Sequence, residues 1–250
     1  PMLAAADIKW LPKMRSLFNL LQIEATRLAS EGKVLDAEEL MVRAVFLADQ
    51  FVDRGLMAEQ RLGYENMVLA LMRMRDLAYQ DARSGAPKLT PENCRDLIKR
   101  LKDNDGLIGI KRMELPQAER LAAKQLIATV MPGGVLDPAV FSGTLARITS
   151  KGQPMRLFSE QAKWEAIAKL HASGTESNAK IDAVFNDWGL RWKRDPWDAL
   201  LKTPTEISKI SRTRFAAIDV FVGDMGRLFT LRDELRVEVT GTRTALGLNG

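Results

Sequence analysis

The chain has 250 residues, 46% hydrophobic and 28% charged, with 17 Gly and 10 Pro, a globular balance that excludes disordered, collagen-like and low-complexity classes. Lys and Arg number 37 against 32 Asp and Glu, a formal +5, which permits an anionic partner without demanding one. One Cys and one His exclude an internal disulfide framework and a multi-histidine metal site, and no apolar run reaches the ~18 uncharged residues of a membrane span.

In chain order, Pro1-Met2 reads as a cloning scar, which leaves room for a signal or anchor upstream of residue 3. Met14, Leu17, Phe18, Leu21, Ala25 and Leu28 recur at three- and four-residue steps and Gly32 follows, so a first helix is expected with a stop at Gly32. Leu35 to Val52 continue the period to Gly55, and Leu62, Met67, Leu71, Met74 and Leu77 carry a third helix to about Arg83. Short turns at Gly32 and Gly55 imply antiparallel neighbours, so residues 3–83 are read as a three-helix unit. After the linker Ser84-Gly85-Ala86-Pro87, Thr90-Pro91 supplies an N-cap and a first-turn proline for a fourth helix to about Asp103, and Asn104-Asp105-Gly106 is turn chemistry. A fifth helix runs from about Pro116 to Val130 and breaks at Pro132-Gly133-Gly134. Asp137-Pro138, Asp195-Pro196 and Thr203-Pro204 repeat the cap-then-proline device, and helices are expected over 138–150, 159–172, 177–193, 204–222 and from Gly226 to Leu246. The alternating stretch Arg236 to Thr240 fits helix or strand and is taken as helix. The fold class is therefore all-α, a multi-helix array of antiparallel hairpins with essentially no sheet. Residues 88–250 are expected to pack on the three-helix unit as one continuous domain. Leu246 and Leu248, apolar to the end of the chain, are expected to be poorly packed or to cover a neighbouring molecule.

Chemistry-bearing residues are few. The densest composition is Asp187 to Trp197, where Trp188, Trp192 and Trp197 interleave with Arg191, Lys193 and Arg194. Such rings can stack on bases or sugars while cations hold phosphate, although Trp188 and Trp192 at i and i+4 equally suit a core. The basic cluster Lys99, Arg100, Lys102, Lys111 and Arg112 also contains Asp103 and Asp105 and reads as a solvated face. Glu38 and Glu39 are adjacent and point apart on a helix, so they cannot form one acid/base pair. His171 at a helix end is favourable as a cation, and Cys94 in a helix first turn is either a favoured thiolate or a buried thiol. Gly133-Gly134 lacks the Lys-Ser/Thr and preceding strand of a phosphate loop. No catalytic, metal or cofactor-binding set emerges, and no cofactor is expected.

Ala25, Leu28, Gly32, Ala37, Met41 and Ala44 match the small and large positions of a tetratricopeptide helix pair, although the next ~34-residue shift fails at Asn66 and Arg75. The run from Leu20 to Met74 resembles the helical hairpin of an uncharacterised group of extracytoplasmic proteins of planctomycete-type bacteria. LTPENCRDLIKRLKD, ELPQAERLAAKQLI and ELRVEVTGTRTALGLNG resemble later helices of that group. The resemblance implies an envelope location with an upstream signal or anchor, and no activity. Three functions are thus carried forward: a non-catalytic helical interaction or scaffold module of the cell envelope with a protein or peptide partner; a binder of an anionic polymer or glycan through 187–197; and a carboxylate-based enzyme in a helical cleft.

Overall fold

The computed structural model of the chain describes residues 8–101, 113–223 and 225–249. The α-helices are α1 (Trp10–Ser30), α2 (Val34–Val52), α3 (Met57–Ala82), α4 (Pro91–Arg100), α5 (Gln117–Val130), α6 (Pro138–Ser150), α7 (Pro154–Ala168), α8 (Gly174–Trp192), α9 (Ala216–Phe221) and α10 (Gly226–Asn249). The class is all-α, and no strand occurs among the described residues. Two compact units divide the chain, one holding residues 117–223 and the other residues 8–101, 113–116 and 225–249. This differs from the expectation of one continuous domain built on a three-helix unit at 3–83: α4 and α10 group with α1, α2 and α3, and residues 117–223 form a unit of their own.

In the discontinuous unit the sequence period sets the packing. Ala37, Met41, Ala44, Val45, Ala48 and Val52 on α2 are buried, as are Leu62, Met67, Leu71, Met74 and Leu77 on α3. The close α2–α3 approach depends on Gly63, where a Cβ would lie 2.8 Å from the Ala48 carbonyl oxygen and 2.9 Å from Val52 Cγ1. Gly32, at φ +75°, turns the chain out of α1: its N–H donates to Ala29 O and that of Lys33 to Leu28 O, the paired bonds that satisfy terminal helix carbonyls. Thr90 caps α4 as expected, reciprocally with Asn93. Residues 102–112, with the Asn104-Asp105-Gly106 turn and Lys102, Lys111 and Arg112, lie outside the described residues. Helix α10 packs on α3 and α4 and buries Leu228, Leu231, Leu235, Val239 and Leu246. It runs through 236–240, so the alternating stretch is helix. Leu246 corrects the expectation of poor packing, because it is fully buried; Leu248 is exposed.

In the other unit, Asp137 caps α6 by accepting from the N–H groups of Ala139 (2.8 Å) and Val140 (3.1 Å). Phe141 meets Trp164 of α7 edge to face, and the Trp164 indole N–H donates to Thr149 Oγ1 at 3.0 Å. Helix α7 starts at Pro154 rather than 159, after Lys151 and Gly152 at positive φ reverse the chain. Helix α8 starts at Gly174, since Ser173 and Glu176 form a capping box. The expected helix over 204–222 is corrected. That stretch holds a 3-10 turn at Ile207–Lys209 and only the short α9, preceded by another 3-10 turn at Ala199–Lys202. There the carbonyls of Thr203 and Pro204 accept from the Arg191 guanidinium and the Glu206 N–H donates to Asp187, ties to α8 that go with the irregular backbone of this stretch.

Candidate functional site

In the discontinuous unit, an open cavity of about 410 Å³ sits where the α1–α2 turn meets the end of α3 and the linker that follows it. That size lies within the ~300–1,000 Å³ range of small-ligand sites. Ala29, Val34, Leu77 and Ala86 give it an apolar side, while Thr26, Arg73, Asp81 and Lys88 give it polar groups. Each is placed by the fold. Gly32 lets α2 start beside α1, Arg73 and Asp81 are two turns apart on α3, and the linker is drawn in by Asp81. The Asp81 carboxylate accepts from the Lys88 N–H (2.9 Å to each oxygen) and the Leu89 N–H (2.8 Å), so this buried acid holds the cavity wall in place.

One helical turn beyond Val34 on α2 lies Glu38, which is 0% exposed and has no hydrogen-bond partner on either carboxyl oxygen. Burial and, second, the nearby Asp81 charge push its pKa up to about 9, so Glu38 is a neutral acid at neutral pH. The Cys94 thiol is also pushed up, first by burial and then by Glu38 and Asp81. Of the two readings of Cys94 the buried thiol holds, because the helix N-terminus does not offset burial among acids. Glu39 points away, as expected from adjacency, and pairs with Arg100. A protonated acid beside an ionised one is the electrostatic pattern of a proton donor, yet Glu38 is sealed from solvent and does not line the cavity. No group of three or more metal-ligating side chains occurs among the described residues.

The tryptophan-rich segment is divided by burial. Trp188 and Trp192 are buried, and Trp188 packs edge to face on Phe185. Arg191 is buried and fully engaged: Nε donates to Asp187 (3.0 and 2.9 Å), Nη1 to the carbonyls of Leu200 (2.7 Å) and Thr203 (3.1 Å), and Nη2 to Thr203 Oγ1 and Pro204 O (3.1 Å each). These three residues build the unit's interior. Trp197, at 78% exposure, remains outside with Lys193 and Arg194, the latter 3.8 Å from Asp198. His171 is half-buried against Phe141, with ring centroids 4.7 Å apart. Its Nδ1 lies 2.8 Å from the Ala172 carbonyl oxygen and its Nε2 accepts from the Ala217 N–H at 3.2 Å, which assigns the neutral Nδ1–H tautomer. Burial lowers its pKa, so the helix-end cation expected from sequence is replaced by a neutral bridge between backbone segments.

Sequence reading missed the cavity and the Glu38–Asp81 pair because their residues are scattered from Thr26 to Lys88. Only the linker Ser84 to Pro87, marked by its turn residues, signalled one wall. No family model, curated protein or solved structure matches this chain.

Proposed function

We propose that the chain is a non-catalytic helical interaction module of the cell envelope that binds an amphipathic helix of a protein partner on the α1–α3 face. The supporting observation is that α1 buries only Phe18 and Ala25 while leaving Leu20 and Ile23, one turn apart, 60% and 64% exposed. Helix α1 is tied to α3 by Arg15 to Glu65 and by Arg73 to Thr26, and the exposed Leu69 and Met72 fall on the α3 stretch between those ties. Leu20 and Ile23 sit about 4.5 Å apart along the helix axis, close to one turn, which suits i, i+3 or i, i+4 anchors from a partner helix. An envelope location rests on the resemblance described above, and fractionation of cells expressing the protein tests it. Among the described residues no helix is long and apolar enough to cross a membrane.

The experiment compares the protein with a Leu20→Asp/Ile23→Asp variant. A partner retained from lysate by the former and lost by the latter, then reconstituted from purified components with the same difference and with unchanged melting, supports the reading. Reconstituted binding indifferent to both substitutions overturns it. A second reading, an anionic-polymer or glycan binder, is favoured by the exposed Trp197 beside Lys193 and Arg194. Its signature is affinity for a polyanion that falls steeply with salt and weakens on Trp197→Ala or Lys193→Ala. No binding at low salt eliminates its polyanion arm, and a neutral glycan array tests the other.

A further inference from the structure

The cavity at the α1–α2 turn has an unbalanced set of polar groups. Arg73 and Lys88 both line it, and neither side chain pairs with a carboxylate among the described residues. By contrast, the nearby Arg75 and Arg100 close on Glu238 and Glu39. Arg73 uses Nη2 on Thr26 Oγ1, but its Nε is covered and has no acceptor. The cavity's own acid pairs with neither cation's side chain. Asp81 directs its oxygens at the Lys88 and Leu89 N–H groups, and the acid behind it, Glu38, is neutral, so one negative charge faces two cations. Ala29, Val34, Leu77 and Ala86 line it as well, which offers an apolar body a surface but gives nothing to a bare inorganic anion.

We infer that this cavity binds a small organic carboxylate, its head on the Arg73 guanidinium and Lys88 ammonium and its short hydrocarbon body against Ala29, Val34, Leu77 and Ala86. The inference is independent of the α1–α3 docking face. Arg73 supplies a permanently charged guanidinium, and Lys88, exposed on the linker, adds a second point charge.

The test is an amide-resolved NMR titration of the whole chain, at constant ionic strength, with acetate, butyrate, hexanoate, hexanamide and inorganic phosphate. Saturable hexanoate binding is expected, with shifts confined to the cavity-lining residues. Affinity should rise about fourfold per added methylene from acetate. Hexanamide and the Arg73→Gln variant should each weaken binding about tenfold, because the charge-assisted bonds are lost. Ala29→Phe fills the apolar side without touching either cation and should abolish binding while the melting temperature holds. Absence of saturable binding overturns the inference, as does hexanamide matching hexanoate, phosphate matching hexanoate, or undiminished binding by folded Ala29→Phe.

Discussion

Two titratable residues, Glu38 buried and His171 half-buried, make opposite contributions to stability as pH changes. Glu38 has an ordinary value of 4.5 and is pushed up to about 9 in the fold by burial and the Asp81 charge. The folded chain therefore holds a proton that the unfolded chain releases above 4.5. Stability is fully present below 4.5 and is lost as pH rises toward 9, by up to about 1.4 kcal/mol per unit. Glu38→Gln keeps the shape and removes the ionisation, so its advantage over the parent should grow between pH 5 and pH 8 in urea unfolding; parallel pH profiles would show that Glu38 is ionised in the fold. His171 runs the other way. Its neutral form accepts the Ala217 N–H, and burial lowers its pKa below 6.5. That contribution is present above 6.5 and is lost as pH falls from 6.5 through the lower folded value. Because the chain has one histidine, its imidazole resonances are unambiguous, and a titration midpoint at or above 6.5 would contradict the bridge. Neither role was legible in sequence: Glu38 was read only against its neighbour Glu39, and His171 only against its helix end, whereas both are set by groups distant in the chain.

At the scale of elements, most helices follow from local chemistry, and the exceptions have identifiable causes. Thr90-Pro91 and Asp137-Pro138 start α4 and α6 because cap and proline act within one turn. Thr203-Pro204 carries the same signal but is followed only by a 3-10 turn, in a stretch whose Thr203 and Pro204 carbonyls accept from the buried Arg191 of α8 and whose Glu206 N–H donates to Asp187. The start of α8 was readable, in Ser173 and Glu176 three residues apart, but lay hidden behind the apolar period that begins later. The α2–α3 crossing shows the limit of periodicity from another side: the stripes were visible, and the residue that sets their separation was not. Gly63→Ala would place a Cβ 2.8 Å from backbone oxygen and 2.9 Å from Val52, and backbone cannot give way as a flexible side chain can. We expect a loss of about 1–3 kcal/mol, from overpacking that outweighs alanine's higher helix propensity. A denaturant midpoint equal to or above the parent's would show that the two helices separate at little cost.

At the scale of the whole molecule, the all-α class was legible because caps, prolines and the three-to-four period agree along the chain. The division into units was not, because it depends on where α10 returns. Residues 225–249 are remote in sequence from α3 and α4 yet complete their core. Leu228, Leu231, Leu235 and Leu246 are at most 1% exposed, the Thr242 hydroxyl donates to Leu71 O at 3.2 Å, and Glu238 pairs with Arg75. Burial of each such leucine contributes roughly 1.5–3 kcal/mol, so the four together, about 6–12 kcal/mol, are comparable to a domain's whole net stability of about 5–15 kcal/mol. A chain ending at residue 224 should therefore lose the packing of α1–α4, whereas residues 117–223 retain their own core around Phe141, Trp164, Phe185 and Trp188. The tryptophans report on both outcomes separately, since Trp10 lies in the discontinuous unit and the other four in 117–223. The indole resonance of Trp10, stacked on Phe51 at 5.5 Å in the intact chain, should move to its unfolded position while those of Trp164, Trp188 and Trp192 stay dispersed. An unchanged Trp10 signal and an unchanged unfolding midpoint would show that α1–α4 hold their core without the returning helix.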